Sequence, residues 1–518
     1  MKSIVQTFLI FVSVLLVSLQ TQAYVTKSGN VSGEYWTNSQ TYFVDGDLIV
    51  NGGSSLTIEP GTIIKFEHGR RLSVYGTLVA IGTVYANIYF TSMDDNSVGE
   101  TIFGSDGSPQ PGDWNNIIGY GSNDNQGMLQ LDYVVVNYAG PSYYNAAVEF
   151  NVSDGGYVSN SDIGNSATTG ILTTNCSIPI SNNYIHDHID YGVRATNNFS
   201  PVLTNNNFVN NGLLPAYLDC NELVAHSGNY GSGNGVEAFG LRGNITADLT
   251  LSSSAIGFSI ALINDITIQD GATLTIPAGE IIKMDYSYIY VYGTLVADGE
   301  VGNHIVFTSF KDDTYGGDLN SDGNATTPAP GDWRGIIVYG SGTDNGNIVM
   351  DRCILRYGGL TNGQFLYLIA NDPTTISYST FEHGAGDGIS NSGTVLTVDH
   401  CSFNNNVDHG VNAYAGETIL TNNQMNNNGD YAAYLHNGNI STYSGNSGTG
   451  NGIDAIALSG NVNQDLTLSE TVCGLPFVFT NQTYVDEGYT LTLSAGDVYK
   501  MTPGTRIYVE GSLVAKGT

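Results

Sequence analysis

The chain has few basic residues for its length. Of its 518 residues only 15 are Lys or Arg, against 48 Asp or Glu, which gives a formal net charge of −33 at pH 7. A surface this acidic repels phosphate backbones and anionic lipid, which argues against nucleic acid as a partner and makes divalent cations the natural counterions. The hydrophobic share of 41% is enough for a core, so a disordered acidic chain is excluded.

Cysteine is also scarce. The five cysteines are Cys176, Cys220, Cys353, Cys401 and Cys473. Their number is odd, their spacing is wide and no CxxC pair occurs, so no zinc pattern is present. A disulfide is one interpretation for an exported chain, but isolated buried thiols are the simpler one.

Only the first residues hold a long apolar run. Lys2 precedes the apolar residues 8–19, and a Thr-Gln-Ala tripeptide ends at Ala23. This pattern predicts a signal peptide over 1–23 with cleavage near Ala23. The run is shorter than the roughly 20 apolar residues of a spanning helix, and no other segment approaches that length. We therefore expect a secreted or cell-surface protein without a transmembrane segment in the mature chain.

Helical periodicity is absent over any long window, and repetition takes its place. The segment LTIEPGTIIKFEHGRRLSVYGTLVAIGT at 56–83 returns at 274–301 and at 491–518, with Gly76, Gly293 and Gly511 at the same position. With matching Gly-Asn pairs at 29, 243 and 460, the pattern predicts a first repeat over 24–242 and a second over 243–459. A third begins at 460 and breaks off at 518, so we expect the sequence to be a fragment.

A shorter period, of roughly 22–24 residues, lies inside each large repeat. Ile163, Ile185 and Phe208 recur at this period, and so do Phe381 and Phe403. Each period holds three short apolar bursts with alternating side chains, separated by Gly, Asn, Asp or Pro. Three short strands and three turns make one rung of a coil. The predicted fold class is therefore all-β, a three-sheeted parallel solenoid with rungs of about 22–24 residues and an aliphatic interior.

The Asn-rich rungs carry a family resemblance. The segments ISNNYIHDHIDYGVRATNNFSPVLTNNNFVNNG at 180–212 and VDHCSFNNNVDHGVNAYAGETILTNNQMNNNG at 398–429 resemble right-handed parallel β-helix repeats. Asn suits the turns because it tolerates left-handed backbone and forms ladders between rungs. The opening pattern LTIEPGTIIKF…PGDW is similar to modules of large secreted and cell-surface proteins of bacteria. The resemblance implies the fold but not an activity, since this fold hosts lyases, hydrolases, adhesins and structural rods.

Two long loops, at 92–114 and 309–333, have an Asp-Asp pair near their start and end in PGDW. The second contains DLNSDG, which is similar to the first half of an EF-hand loop. Asp318, Asn320 and Asp322 are accordingly the predicted ligands of a Ca²⁺ ion, the only cofactor that the sequence suggests. The twelfth position is Ala329 and lacks the usual bidentate Glu. A surface turn with Asx hydrogen bonds is the alternative.

Two further residue types recur at fixed positions. Trp114 and Trp333 both follow Pro-Gly-Asp, and we interpret them as pins that hold the loops on the coil, with sugar stacking as the alternative. Lys65, Lys283 and Lys500 occupy one position in the three copies. Strand alternation places them outward, so we expect each to form a structural ion pair with an Asp of the following loop.

An enzyme is the competing class. Polysaccharide lyases of this fold use Ca²⁺ carboxylates with an Arg or Lys base, and glycosidases use clustered carboxylates. The candidate catalytic residues are His186, Asp190, Arg194, Asp387, Asp408 and His409. Asp before Gly is also ordinary turn chemistry.

The best-preserved positions are glycines, core aliphatics, one lysine and PGDW, which build structure. We therefore expect a non-catalytic exported scaffold or adhesin-like surface protein whose partners are polysaccharides or other cell-surface components. The alternative is a polysaccharide-active enzyme, a lyase or a glycoside hydrolase.

Overall fold

The computed structural model describes residues 24–121, 127–141, 146–152, 155–197, 199–220, 226–341, 344–360, 363–369 and 372–517. The predicted signal peptide, residues 1–23, lies outside them. Contacts divide the chain into two compact units. The first comprises Met1–Thr196, Pro201–Pro215 and Tyr230–Asn234, and the second comprises Asn197–Ser200, Ala216–Asn229 and Gly235–Thr518. The predicted repeat boundaries after residues 242 and 459 stay predictions.

The first unit is a coil of short parallel strands. Each strand pairs with its counterpart one rung further on, as Ile64 pairs with Phe90 and Phe90 with Val136. Its strands are β1 Tyr24–Asn30, β2 Tyr35–Trp36, β3 Thr41–Val50, β4 Ser55–Ile58, β5 Ile63–Phe66, β6 Leu72–Val74, β7 Thr77–Ile81, β8 Ile88–Ser92, β9 Ile117–Tyr120, β10 Met128–Asp132, β11 Val134–Asn137, β12 Ala146–Asn151, β13 Gly156–Ser159, β14 Asp162–Gly164, β15 Thr169–Thr174, β16 Pro179–Ser181, β17 Tyr184–His186, β18 Val193–Thr196, β19 Val202–Thr204, β20 Asn207–Val209 and β22 Tyr230–Ser232.

The second unit is built in the same way. Its strands are β21 Ala216–Asp219, β23 Ala238–Ile245, β24 Leu249–Thr250, β25 Ser259–Ile268, β26 Thr273–Ile276, β27 Ile281–Met284, β28 Tyr288–Val291, β29 Thr294–Asp298, β30 Ile305–Ser309, β31 Gly335–Ser341, β32 Asp344–Asn345, β33 Asn347–Asp351, β34 Cys353–Arg356, β35 Gln364–Ile369, β36 Thr374–Ser377, β37 Thr380–Glu382, β38 Asp387–Ser392, β39 Leu396–Asp399, β40 Ser402–Asn404, β41 Val411–Ala415, β42 Thr418–Thr421, β43 Gln424–Asn426, β44 Tyr431–His436, β45 Ile440–Ser444, β46 Ile453–Val462, β47 Leu466–Leu468, β48 Phe477–Val485, β49 Thr490–Leu493, β50 Tyr499–Met501, β51 Ile507–Val509 and β52 Ser512–Ala515. Its helices are α1 Ser253–Ile256, α2 Glu470–Cys473 and a 3₁₀ turn at Asn437–Asn439. In the described part of the chain, no helix has the length and apolar content of a membrane span.

The three strands of a rung lie on three faces, as predicted. In the first unit, face A contains β5, β8, β11, β14, β17 and β20, face B contains β6, β9, β12, β15 and β18, and face C contains β4, β7, β10, β13, β16 and β19. In the second unit, face A contains β27, β30, β34, β37, β40 and β43, face B contains β28, β31, β35, β38, β41 and β44, and face C contains β26, β29, β33, β36, β39, β42 and β45. Faces A and B belong to one hydrogen-bonded sheet because long strands such as β3 bend from one face to the other.

The predicted interior columns are present in both units. Ile163, Ile185 and Phe208 are aligned in register and have no exposed surface. In the second unit the rings of Phe381 and Phe403 stack with centroids 5.2 Å apart. Aromatic stacking and continuous apolar burial between rungs stabilise the coil without any disulfide. All five cysteines are buried thiols, as the simpler interpretation of their spacing predicts.

Consecutive asparagines divide two structural tasks between them. The first of each pair has a left-handed backbone with φ of 53–58°, and the second is at most 2% exposed. Asn428, a second member, donates to Phe403 O and to the Oδ1 of Asn451, while its own Oδ1 accepts from the Nδ2 of Asn406. Its amide group is therefore fully used by the rungs on either side. The pairs are Asn182-Asn183, Asn205-Asn206, Asn210-Asn211, Asn405-Asn406, Asn422-Asn423 and Asn427-Asn428.

Candidate functional sites

A buried lysine closes the long loop of the first unit. Lys65, on β5, has no exposed surface, and its Nζ donates to the backbone oxygens of Asp95 at 2.7 Å and Glu100 at 2.8 Å. Burial lowers the pKa of Lys65, although the nearby Asp95 and Glu100 carboxylates act in the opposite direction. The ammonium group therefore fixes the path of the loop main chain.

The second unit uses the same device. Lys283, on β27, is fully buried, and its Nζ donates to the backbone oxygens of Asp312 at 2.9 Å and of Gly317. The predicted ion pair between each of these lysines and a loop carboxylate is therefore wrong, because the acceptors are main-chain carbonyl oxygens of the loop. Strand alternation does aim both lysines out of the coil, but the loop folds over them. Lys500, at the same position of the third repeat, is exposed.

The tryptophans of the two PGDW segments are pinned on the coil, as predicted. Trp114 and Trp333 have no exposed surface. The Trp114 Nε1–H donates to Asn137 O at 2.8 Å, and the Trp333 Nε1–H donates to Arg356 O at 2.7 Å. The acceptors are strand-end carbonyls of β11 and β34. With no ring face open to solvent, these residues are structural pins and not sugar platforms.

A histidine and two carboxylates meet beside the loop of the first unit. His68 Nε2 lies 2.7 Å from Asp94 Oδ2 and 3.8 Å from Asp113 Oδ1. The second oxygen of each carboxylate is held by the loop: Asp94 Oδ1 accepts the N–H of Asp106, and Asp113 Oδ2 accepts from Ser92 Oγ. The carboxylates are largely buried, whereas the His68 side chain is 58% exposed.

The second unit holds a lysine at the corresponding place. Asp332 Oδ2 accepts from Ser309 Oγ at 2.6 Å, as Asp113 does from Ser92, and its Oδ1 lies 2.8 Å from Lys311 Nζ. A direct ammonium–carboxylate pair thus replaces the histidine and second carboxylate of the first unit.

The contacts also correct the alignment of the two loops. The carboxylates of Asp95 and Asp312 each accept a hydrogen bond from the Thr hydroxyl four residues earlier, at 2.8 and 2.6 Å. The backbone carbonyl of each also accepts a hydrogen bond from the buried lysine of its unit. The two Asp-Asp pairs are therefore offset by one residue. Lys311 stands where the first unit has Asp94.

The predicted calcium ligands lie in one turn, and the fold adds a residue to them. Carboxylate oxygens of Asp313, Asp318 and Asp322 lie within 4.8 Å of one another. Asp318 accepts the N–H groups of Asp322 and Gly323, so the Asx hydrogen bonds of the alternative interpretation are also present. Asn320 donates to Asp322, but its Oδ1 and the Oδ1 of Asp313 are buried without a hydrogen bond among the described residues.

The cluster predicted from HDHIDYGVR is spread over the first unit. His186, on face A, bonds Asp162 at 2.9 Å and Asp187 at 2.6 Å. Burial lowers the pKa of His186, but these two hydrogen bonds outweigh it and leave the pKa raised. Asp190 lies in the turn after β17, and Arg194 is on β18 of face B. The turn between the strands separates His186 from Arg194.

The second cluster does come together, at the edge of face B in the second unit. Asp387 is buried at the start of β38 and accepts from Ser390 Oγ, Asn412 Nδ2 and the backbone N–H of His409. Partial burial, and then the neighbouring Asp387, raise the pKa of Asp408. Asp387 is therefore a carboxylate group held by three hydrogen bonds beside Asp408 and His409.

Sequence reasoning missed the neighbours of this cluster. Asp430 Oδ2 lies 3.9 Å from His409 Nδ1, and the ring of Tyr434 stacks on His409 with centroids 5.5 Å apart. The hydroxyl groups of Tyr367 and Tyr414 are 3.0 Å apart. The signal was the recurrence of Tyr at outward strand positions. These tyrosines form what we name the tyrosine face: Tyr290, Tyr292, Tyr339, Tyr367, Tyr414 and Tyr434.

Comparisons with known proteins agree with this architecture. A family model described as a right-handed β-helix region matches residues 333–472. The chain is a right-handed parallel β-helix repeat protein. No protein with a curated description matches the sequence.

Two solved structures are similar to this β-helix at low identity. Tailspike protein 3 of bacteriophage CBA120 is 10% identical, with 85% of this chain and 55% of the tailspike covered and a TM-score of 0.21. The β-helix thus spans only about half the length of that protein. The periplasmic alginate epimerase AlgG is also 10% identical, with 92% and 79% covered and a TM-score of 0.12.

Proposed function

We propose that this β-helix is a non-catalytic exported scaffold at the cell surface, and that the tyrosine face of the second unit binds extended polysaccharide. The observation that carries the proposal is the group of outward-facing tyrosines along face B of the second unit. Tyr292 and Tyr339 stack with centroids 4.9 Å apart and planes 7° apart, and Tyr367 joins Tyr414 through its hydroxyl. Tyrosine offers an apolar ring and a hydroxyl group, the combination suited to a sugar ring and its hydroxyl groups.

The fate of the preserved residues supports a scaffold over an enzyme. Lys65, Lys283 and both PGDW tryptophans are buried and bonded to main-chain groups. The lysines and tryptophans that recur between the repeats therefore stabilise the coil. Export is supported by the signal-peptide pattern that ends at Ala23.

Affinity electrophoresis of the full chain in gels that contain neutral or acidic polysaccharides tests the binding. We expect one polysaccharide to retard the chain, and the double variant Tyr367→Ala/Tyr414→Ala to lose that retardation. Tyr484→Ala is the matched control, because Tyr484 is 41% exposed and stacks on Tyr508, and neither residue belongs to the tyrosine face. Retention of binding by the double variant would contradict the assignment.

A polysaccharide-active enzyme is the second candidate, favoured by the raised pKa of Asp408 beside Asp387 and His409. A carboxyl group whose pKa is raised, next to a carboxylate held by hydrogen bonds, is suited to act as a general acid. Incubation with pectin, alginate and neutral glycans, followed by reducing ends and by ultraviolet absorbance of unsaturated products, tests it. Release that Asp408→Asn abolishes would favour the enzyme, and absence of release from all of them would favour the scaffold.

We also propose that Ca²⁺ binds in the second loop, through Asp313, Asp318, Asp322 and the Oδ1 of Asn320. Two buried oxygens without a hydrogen bond beside two carboxylates suit a hard cation that takes oxygen ligands. Calorimetric titration with Ca²⁺ should give binding heat that Asp313→Asn removes. Asp106→Asn is the control, since Asp106 caps a simple turn in the first loop. Equal heats in both variants would contradict the site.

A further inference from the structure

We propose that His68, Asp94 and Asp113 of the first unit bind one divalent transition-metal ion of the Zn²⁺ class. One ligand atom from each residue lies within 4.8 Å of the other two. An imidazole nitrogen with two carboxylate oxygens suits zinc and its neighbours, whereas Ca²⁺ takes six to eight oxygen ligands. The exposed His68 leaves the fourth position open to water.

The carboxylates are held in the orientation that a metal ligand needs. Asp94 Oδ1 is bonded to the N–H of Asp106 at 2.9 Å, and Asp113 Oδ2 accepts from Ser92 Oγ at 2.6 Å and the N–H of Gln110 at 3.0 Å. Each group is thus fixed through one oxygen and presents the other toward His68 Nε2. Hydrogen bonds of this kind orient ligands in metal centres.

The second unit supplies an independent observation that this place holds a cation. Lys311, which stands where the first unit has Asp94, puts its ammonium group 2.8 Å from the carboxylate that corresponds to Asp113. Exchange of lysine for aspartate lowers the local charge by two units. A divalent ion restores the balance, whereas a proton on His68 supplies only half of it. Uncompensated carboxylates this close together repel each other.

Calorimetric titration of the full chain with Zn²⁺, at a pH where histidine is neutral, tests the site. We expect one ion per chain at this site and a loss of affinity of ~10-fold or more in His68→Ala. His68 is largely exposed, so its removal leaves the fold intact. His400→Ala is the matched control, because His400 Nδ1 has one carboxylate, Asp399, at 2.8 Å. It should leave the affinity unchanged.

Asp94→Lys gives a second and sharper result. This variant builds the lysine pair of the second unit into the first, so we expect it to keep its thermal midpoint while Zn²⁺ binding at the site disappears. If His68→Ala binds Zn²⁺ as tightly as the unmodified chain, the metal is an adventitious ion only and the proposal fails. Absence of binding in the unmodified chain, or retained binding in Asp94→Lys, also overturns it. Should Asp94→Lys fail to fold, the His68→Ala comparison decides.

Discussion

Lys65→Met removes the buried ammonium group while keeping the length and apolar stem of the side chain. The Nζ makes two hydrogen bonds, to Asp95 O at 2.7 Å and to Glu100 O at 2.8 Å. Hydrogen bonds from a charged donor contribute ~1.5–3 kcal/mol each, so their loss costs about 3–6 kcal/mol. The variant no longer buries a charge, which offsets part of this. We expect a net loss of about 2–4 kcal/mol.

The loss should be local, because rungs of a solenoid contact mainly their neighbours. Hydrogen exchange of amides in residues 93–116 should accelerate, and the urea midpoint of the first unit should fall. Lys500→Met is the matched control, since Lys500 occupies the same sequence position and is exposed. The free energy of unfolding of this variant should stay within about 0.5 kcal/mol of that of the unmodified chain. Equal midpoints and equal loop exchange in the two variants would refute the role assigned to the buried lysines.

Two other predictions concern the interior. Burial lowers the pKa of His188 to about 3 from 6.5, so the stability that its neutral ring contributes is present above pH 6.5. This stability should be lost by ~1.4 kcal/mol per pH unit as the pH falls toward 3. Across this range the urea midpoint of His188→Asn should depend less steeply on pH than that of the unmodified chain. Equal pH dependence of the two midpoints would contradict the prediction. Asn428→Leu should cost about 3 kcal/mol or more, because it removes the acceptor of the Asn406 backbone N–H and Nδ2 and the donor to Phe403 O. Its neighbour Asn427 has a φ of 56°, which glycine adopts freely. Asn427→Gly should therefore cost about 1 kcal/mol or less by chemical denaturation. Similar losses of stability in the two variants would contradict the different roles assigned to the two asparagines.

The rungs could be predicted because each rests on local chemistry. The regular spacing of one rung placed Ile163, Ile185 and Phe208 in one column, and the structure aligns them in register. Asn pairs predicted turns and ladders for the same reason: a left-handed turn and a bond to the next rung are both set by nearby sequence.

The loops could not be predicted in the same way. Strand alternation gave the direction of Lys65 but not its burial, which depends on where residues 93–116 fold. The sequence match of Asp-Asp pairs concealed a shift of one residue, which only the contacts of Asp95 and Asp312 reveal. His186 and Arg194 are close in sequence, yet a turn moves the chain from one face to the next between them. Asp387 and His409 are on successive rungs, which stacking brings together.

The asparagine ladder restricts how this coil can change its length. The Nδ2 of Asn406 donates to Asn428 on the rung that follows, and the Nδ2 of Asn428 donates in turn to Asn451 on the next rung. Removal of a few residues between two such amides would turn one of them out of line and leave polar groups unbonded in the interior. Removal or insertion of a whole rung, with its own Asn pair, would let the asparagines of the two rungs that become neighbours bond to each other. Variants shortened by one complete rung of about 22 residues should therefore fold where variants shortened by half a rung do not.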